Sequence, residues 1–105
     1  MEGGDIVQRL LMLHIDKECS RLNQYGSLLI SIHGFGNSYT DSLFKGLVVE
    51  FDDISDKLSN LAVAIIKCNG NKELLDYCVE YVNELSFTVM NFIVRVKEYE
   101  NILKN

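Results

Sequence analysis

The chain has no proline and no tryptophan. Proline is common in turns because its ring fixes φ and removes a backbone donor. A 105-residue chain without one is therefore expected to have few and short connections. Cysteine is also scarce: Cys19, Cys68 and Cys78 are odd in number and contain no CxxC or zinc spacing. This argues against a disulfide framework and against a structural metal. It fits reduced thiols in the cytoplasm or nucleus. Cys68 and Cys78 flank a predicted turn, so a disulfide between them is conceivable but not required. No apolar run is long enough to span a bilayer. The opening MEGGD lacks the basic-then-apolar order of a signal peptide, and its first glycine follows Glu2, which is no myristoylation context. A soluble, intracellular protein is expected.

Positive charge is in short supply. Ten Lys and Arg face fifteen Asp and Glu, for a net charge of -5. Nucleic acids and anionic membranes are bound through excess cationic side chains, so the balance argues against both as partners. The Lys and Arg are scattered and form no run.

Apolar residues are plentiful. At 48% hydrophobic and 24% charged the chain has the composition of a folded domain, not of a disordered segment. Their spacing is regular. Phe44, Leu47, Phe51, Ile54, Leu58, Leu61, Ile65 and Cys68 alternate steps of three and four, the seam of a helix packed lengthwise on other helices. Leu11, Ile15, Glu18, Leu22, Tyr25, Leu29 and Ile32 form a second such seam, with one acid in it. Leu75, Cys78, Val82, Leu85, Val89, Phe92, Val96, Tyr99 and Leu103 form a third. The pattern predicts one all-α domain over 1–105, with helices at about 5–33, 40–69 and 72–103. Short connections make it an up-down-up bundle of three long antiparallel helices with coiled-coil-like packing, each helix roughly 45 Å long.

Local signals agree. Asp5 is a fair N-cap for the first helix. Gly26 weakens that helix and either admits a close neighbour or marks a bend. His33-Gly-Phe-Gly-Asn37 is read as a turn, with Phe35 over the bundle end and Ser38, Thr40 and Asp41 as candidate caps; a kinked continuous helix is the alternative. Asn69-Gly70 ends the middle helix through a left-handed glycine, and Asn71 caps the next. Residues 87–96 are rich in β-branched and aromatic side chains and alone would pass for a strand. The unbroken seam on both sides decides for helix.

Apolar residues exceed what three seams need. Phe87, Met90 and Val94 lie off the seam of the third helix. Ile6, Leu10 and Leu13 make a second stripe on the first, and Val63 and Ile66 do so on the second. Burying one large apolar side chain contributes on the order of 1.5–3 kcal/mol, so each stripe is a candidate surface for protein helices, from a second copy or another protein.

Sites of chemistry are thin. His14 is one position off its seam and reads as a boundary residue. His33, before Gly34, is placed to interact with terminal carbonyls. The alternative for His33 is a phosphoryl acceptor on a helical bundle. In histidine phosphotransfer domains a basic residue and then glycine follow the histidine within a helix; here glycine follows at once. No Ser-His-Asp or Cys-His pairing can be proposed from two histidines on one helix. Asp52, Asp53 and Asp56 read as a solvated acidic face and not a metal site. Glu18 on the seam either snorkels or pairs with a Lys or Arg across the bundle to fix register, with Lys57 a candidate. The expected function is a non-enzymatic helical interaction module without cofactor or metal, working as a homo- or hetero-oligomer, an adaptor or one subunit of a larger helical assembly. The alternatives are phosphotransfer through His33, or a dimeric membrane-associated module.

Overall fold

The computed structural model describes residues 3–34 and 36–104. It contains three helices, α1 (Gly3–His33), α2 (Ser38–Lys67) and α3 (Lys72–Lys104), each packed on the other two, and no strand among the described residues. The chain runs up, down and up, as a rod of 55 × 16 × 16 Å. Near the start of α1, the Gln8 side-chain amide donates to the carbonyl of Ile65 near the end of α2, at 2.7 Å. Residues 87–96 lie within α3.

The three seams are what the bundle buries. Ile54, Leu58 and Ile65 of α2 meet Ile15, Leu22 and Leu29 of α1 and Val82, Val89, Phe92 and Val96 of α3 in one core. The buried stripe of α3 is wider than its seam, because Ile93 is also enclosed. Phe44, Phe51, Tyr25 and Leu103 lie at the seam edges and are half-buried.

The helix ends differ from expectation by one or two residues. α1 is already helical at Gly3, so Asp5 stands in its first turn and not at its start; the Asp5 side chain lies outside the described residues. The chain turns after His33 and does not continue through a kink: the Gly36 amide donates to the His33 carbonyl at 2.9 Å. The expected position of Phe35 lies outside the described residues. The N-cap of α2 is Asn37 and not Ser38 or Asp41, while Thr40 supplies the second oxygen of its capping box. The Asn37 carboxamide oxygen accepts from the amides of Tyr39 and Thr40 at 3.0 and 3.1 Å, and Thr40 Oγ1 accepts from the Asn37 amide at 2.7 Å. This reciprocal box satisfies donors that a helix start leaves open.

α2 ends at Lys67, two residues before the expected 69. Asn69 and Gly70 both take left-handed conformations, with φ of 49° and 80°. Asparagine and glycine tolerate that region best, and two such residues in succession reverse the chain tightly. Asn71 caps α3 by accepting from the Leu74 amide at 3.1 Å.

α1 continues through Gly26, which admits a close neighbour. A Cβ there would lie 2.4 Å from Cε2 of Phe51. The glycine is a slot that lets the Phe51 ring reach α1 while tilting on Phe92 of α3, with ring centroids 6.0 Å apart.

Candidate interaction surface

All eight side chains of the surplus stripes are exposed: Ile6, Leu10 and Leu13 on α1, Val63 and Ile66 on α2, and Phe87, Met90 and Val94 on α3. Phe87 is 70% accessible although it is among the largest apolar side chains of α3. The stripes fall into two regions. The Gln8 contact brings the start of α1, which carries Ile6, to the same end of the rod as Val63 and Ile66 of α2. On the side facing away from α2, α1 and α3 run parallel and leave a groove of about 440 Å³ lined by His14, Arg21, Asn83, Ser86, Phe87 and Met90. Leu10 and Leu13 precede His14 on α1, and Val94 follows Met90 by one turn on α3.

The floor of this groove is polar. Glu18 is fully enclosed, at 2% accessibility. The Ser86 hydroxyl donates to its Oε2 at 2.5 Å, and Arg21 Nη1 donates to its Oε1 at 2.7 Å. His14 Nε2 lies 3.3 Å from the same Oε2 and 2.9 Å from Ser86 Oγ. The expected partner, Lys57, is not involved; it pairs with Asp53 one turn away at 2.9 Å. Helical phase explains the correction, since Arg21 follows Glu18 by one turn and rises over the carboxylate from its own helix. A buried carboxylate needs such partners, and the set locks the axial register of α1 against α3.

A serine, a histidine and a glutamate thus stand together, but not as a relay. A catalytic base takes the serine proton on one ring nitrogen and is oriented by the acid through the other. Here the Ser86 hydroxyl donates its hydrogen bond to Glu18, and both face the same nitrogen of His14. The amides around Ser86 belong to the interior of α3, where helix hydrogen bonds occupy them, so none points at a substrate oxygen. Among the described residues, no three His, Cys, Asp or Glu side chains group as a metal set.

His33 closes the opposite end. Its ring stacks on Phe44 with centroids 3.6 Å apart. Nδ1 is 3.4 Å from the Tyr99 hydroxyl and Nε2 is 3.9 Å from Asp41. Its ring is therefore partnered by side chains of α2 and α3, and among the described residues it makes no hydrogen bond to the last carbonyls of α1. Next to it, a groove of about 370 Å³ runs between α2 and α3 over Leu43, Gly46, Leu47, Tyr99 and Ile102. Arg95 and Glu50 bridge α3 and α2 beside it, with Arg95 Nε donating to Glu50 Oε2 at 3.0 Å.

Charge is sorted around the rod. Lys97 of α3 reaches toward α1, its Nζ 5.7 Å from the centre of the Tyr25 ring. Lys17, one turn after His14, is exposed on α1. Asp52, Asp53 and Asp56 are exposed on α2.

The thiols are free: Cys68 and Cys78 are buried and Cys19 is half-buried. Burial pushes the Cys19 thiol up, with the charges of Asp16 and Glu18 adding to it, and burial followed by Cys68 does the same for Cys78. A thiol held protonated is a poor nucleophile. No helix among the described residues is long and apolar enough to cross a membrane. No family model, curated protein or solved structure matches the chain.

Proposed function

We propose that the protein is a non-enzymatic helical interaction module, an adaptor or a subunit of a larger helical assembly in the cytoplasm or nucleus, which binds partner helices on its surplus apolar stripes. The observation that carries this reading is the exposure of Phe87, Met90 and Val94 beside a groove between two parallel helices. Two parallel helices with a groove between them, bordered by Phe87 and Met90, offer a third helix a seat of the kind used in helix-in-groove recognition. Leaving large apolar side chains in water has no benefit for folding, and a contiguous patch of them marks interaction surfaces. Ile6, Leu10 and Leu13 extend the surface along α1 toward the other end of the rod, and Val63 and Ile66 form a separate exposed patch on α2.

The test is capture from lysate of the source cells with the parent and with Phe87→Asp/Val94→Asp, quantified by mass spectrometry. Tyr77→Asp, at an exposed aromatic of α3, is the control. The reading predicts a set of proteins retained by parent and control and lost with the stripe variant. Identical sets for all three would contradict it.

A further inference from the structure

We propose that the α1/α3 groove takes the outer face of α2 from a second copy of the chain, so that copies associate head to tail. This rests on the reading of that groove as a helix-binding surface and names its occupant.

Charge argues for it first. The protein is acidic overall, yet the cations beside the groove, Lys17 and Lys97, make no ion pair among the described residues, while Arg21 is neutralised by Glu18. The outer face of α2 is the counterpart. Asp52 and Asp56, one turn apart (about 6 Å), are exposed and likewise make no ion pair among the described residues, whereas Asp53 is held by Lys57. Opposite charges left unpaired on two faces of one molecule are complementary between molecules.

Apolar chemistry follows the same division. Val49 precedes Asp52 by three residues and Val63 follows Asp56 by seven; they are 69% and 48% accessible. A helix with carboxylates in the middle and valines at either side suits a groove that holds Phe87 and Met90 between two lysines. The groove is also concave, which fits a helix better than a flat bilayer.

Area permits it. One long face of a 55 × 16 × 16 Å rod offers about 900 Å², close to the roughly 800 Å² that each partner of a stable complex buries. In a three-helix bundle the α1/α3 groove faces away from α2. A copy bound by its groove therefore keeps its α2 face free, and the reverse. Such heterologous contacts do not close at two copies; they continue as rings or filaments.

The experiment is sedimentation velocity over a concentration series, at low and high salt, with three proteins: the parent, Lys17→Glu/Lys97→Glu and Asp52→Lys/Asp56→Lys. All four substituted side chains are exposed, and circular dichroism checks that the variants fold. The parent is expected to grow in mass with concentration at low salt, without stopping at a dimer, and to dissociate at high salt. Each variant places like charges on both faces and should associate at least about tenfold more weakly. An equimolar mixture of the two variants makes opposite charges meet again and should recover association. A parent that stays monomeric at low salt throughout the series overturns the proposal. So does an Asp52→Lys/Asp56→Lys variant that associates as the parent does, since a groove-to-groove dimer would not use α2. A monomeric parent that co-sediments with phosphatidylserine vesicles assigns the groove to a bilayer and also overturns it. None of these outcomes touches capture of other proteins by the stripe, which is decided separately.

Discussion

Ser86 on α3 donates its hydroxyl to the enclosed carboxylate of Glu18 on α1 at 2.5 Å, across 68 residues of sequence. This bond and the Arg21 contact make an acid tolerable in the middle of an apolar seam. Removing one partner of a buried charged group is costly, whereas removing both is close to neutral. Ser86→Ala is therefore expected to lose about 1–3 kcal/mol in urea denaturation. Glu18→Leu/Ser86→Ala should recover most of that loss. Equal losses in the single and double variants would show that the pair does not act as a unit.

The Gly26 slot predicts a change of sign. Alanine is intrinsically better than glycine in a helix by about 1 kcal/mol. In the parent, Gly26→Ala drives a methyl group into the Phe51 ring, and such overpacking costs about 1–3 kcal/mol. The variant should be destabilised overall. In a Phe51→Leu background the methyl meets less, and the same substitution should stabilise. A double-mutant cycle by thermal unfolding reads the coupling.

The thiols give the pH dependence. Cys78 has its pKa raised from the ordinary 9.0 by burial and by Cys68. Below that value folded and unfolded chains both hold the proton, and no stability is lost. As pH rises above 9.0 the unfolded chain ionises while the folded thiol resists, so its contribution falls as pH climbs through the folded value. Denaturant midpoints should drop at alkaline pH, and Cys78→Val should weaken the drop relative to the parent. In the native state at neutral pH, a thiol reagent should modify half-buried Cys19 before Cys68 and Cys78.

The capping box of α2 gives a local prediction. Asn37→Ala removes the acceptor for the amides of Tyr39 and Thr40 and should cost about 1 kcal/mol. Hydrogen exchange should show early opening at the start of α2, with α3 protection kept.

The bundle was legible in the sequence because its seams are strictly periodic, and periodicity is a property of one helix at a time. The relations between helices were not. Glu18 stood out as an acid on a seam, but its partner Ser86 depends on the axial register of α1 against α3, which spacing alone does not encode. Asn37 reads from sequence as the last residue of the turn, beside the candidate caps Ser38, Thr40 and Asp41, and backbone geometry makes it the cap. Gly26 left two readings open, and only the arrival of Phe51 from α2 decides for the close approach. The surplus stripes were visible as residues off the seams. The basic side of the groove was not, because Lys17 and Lys97 lie 80 positions apart and come to one face only in the folded rod.

The most direct measurement is photo-cross-linking from position 90 in the source cells, with a photoreactive residue in place of Met90 and, as control, of Tyr77. Both side chains are exposed on α3, but only Met90 lines the groove. The account predicts cross-links from position 90 to a second polypeptide, another copy or a different protein, well above those from position 77. Equal or no intermolecular products from position 90 would contradict it, leaving Phe87, Met90 and Val94 as ordinary exposed surface.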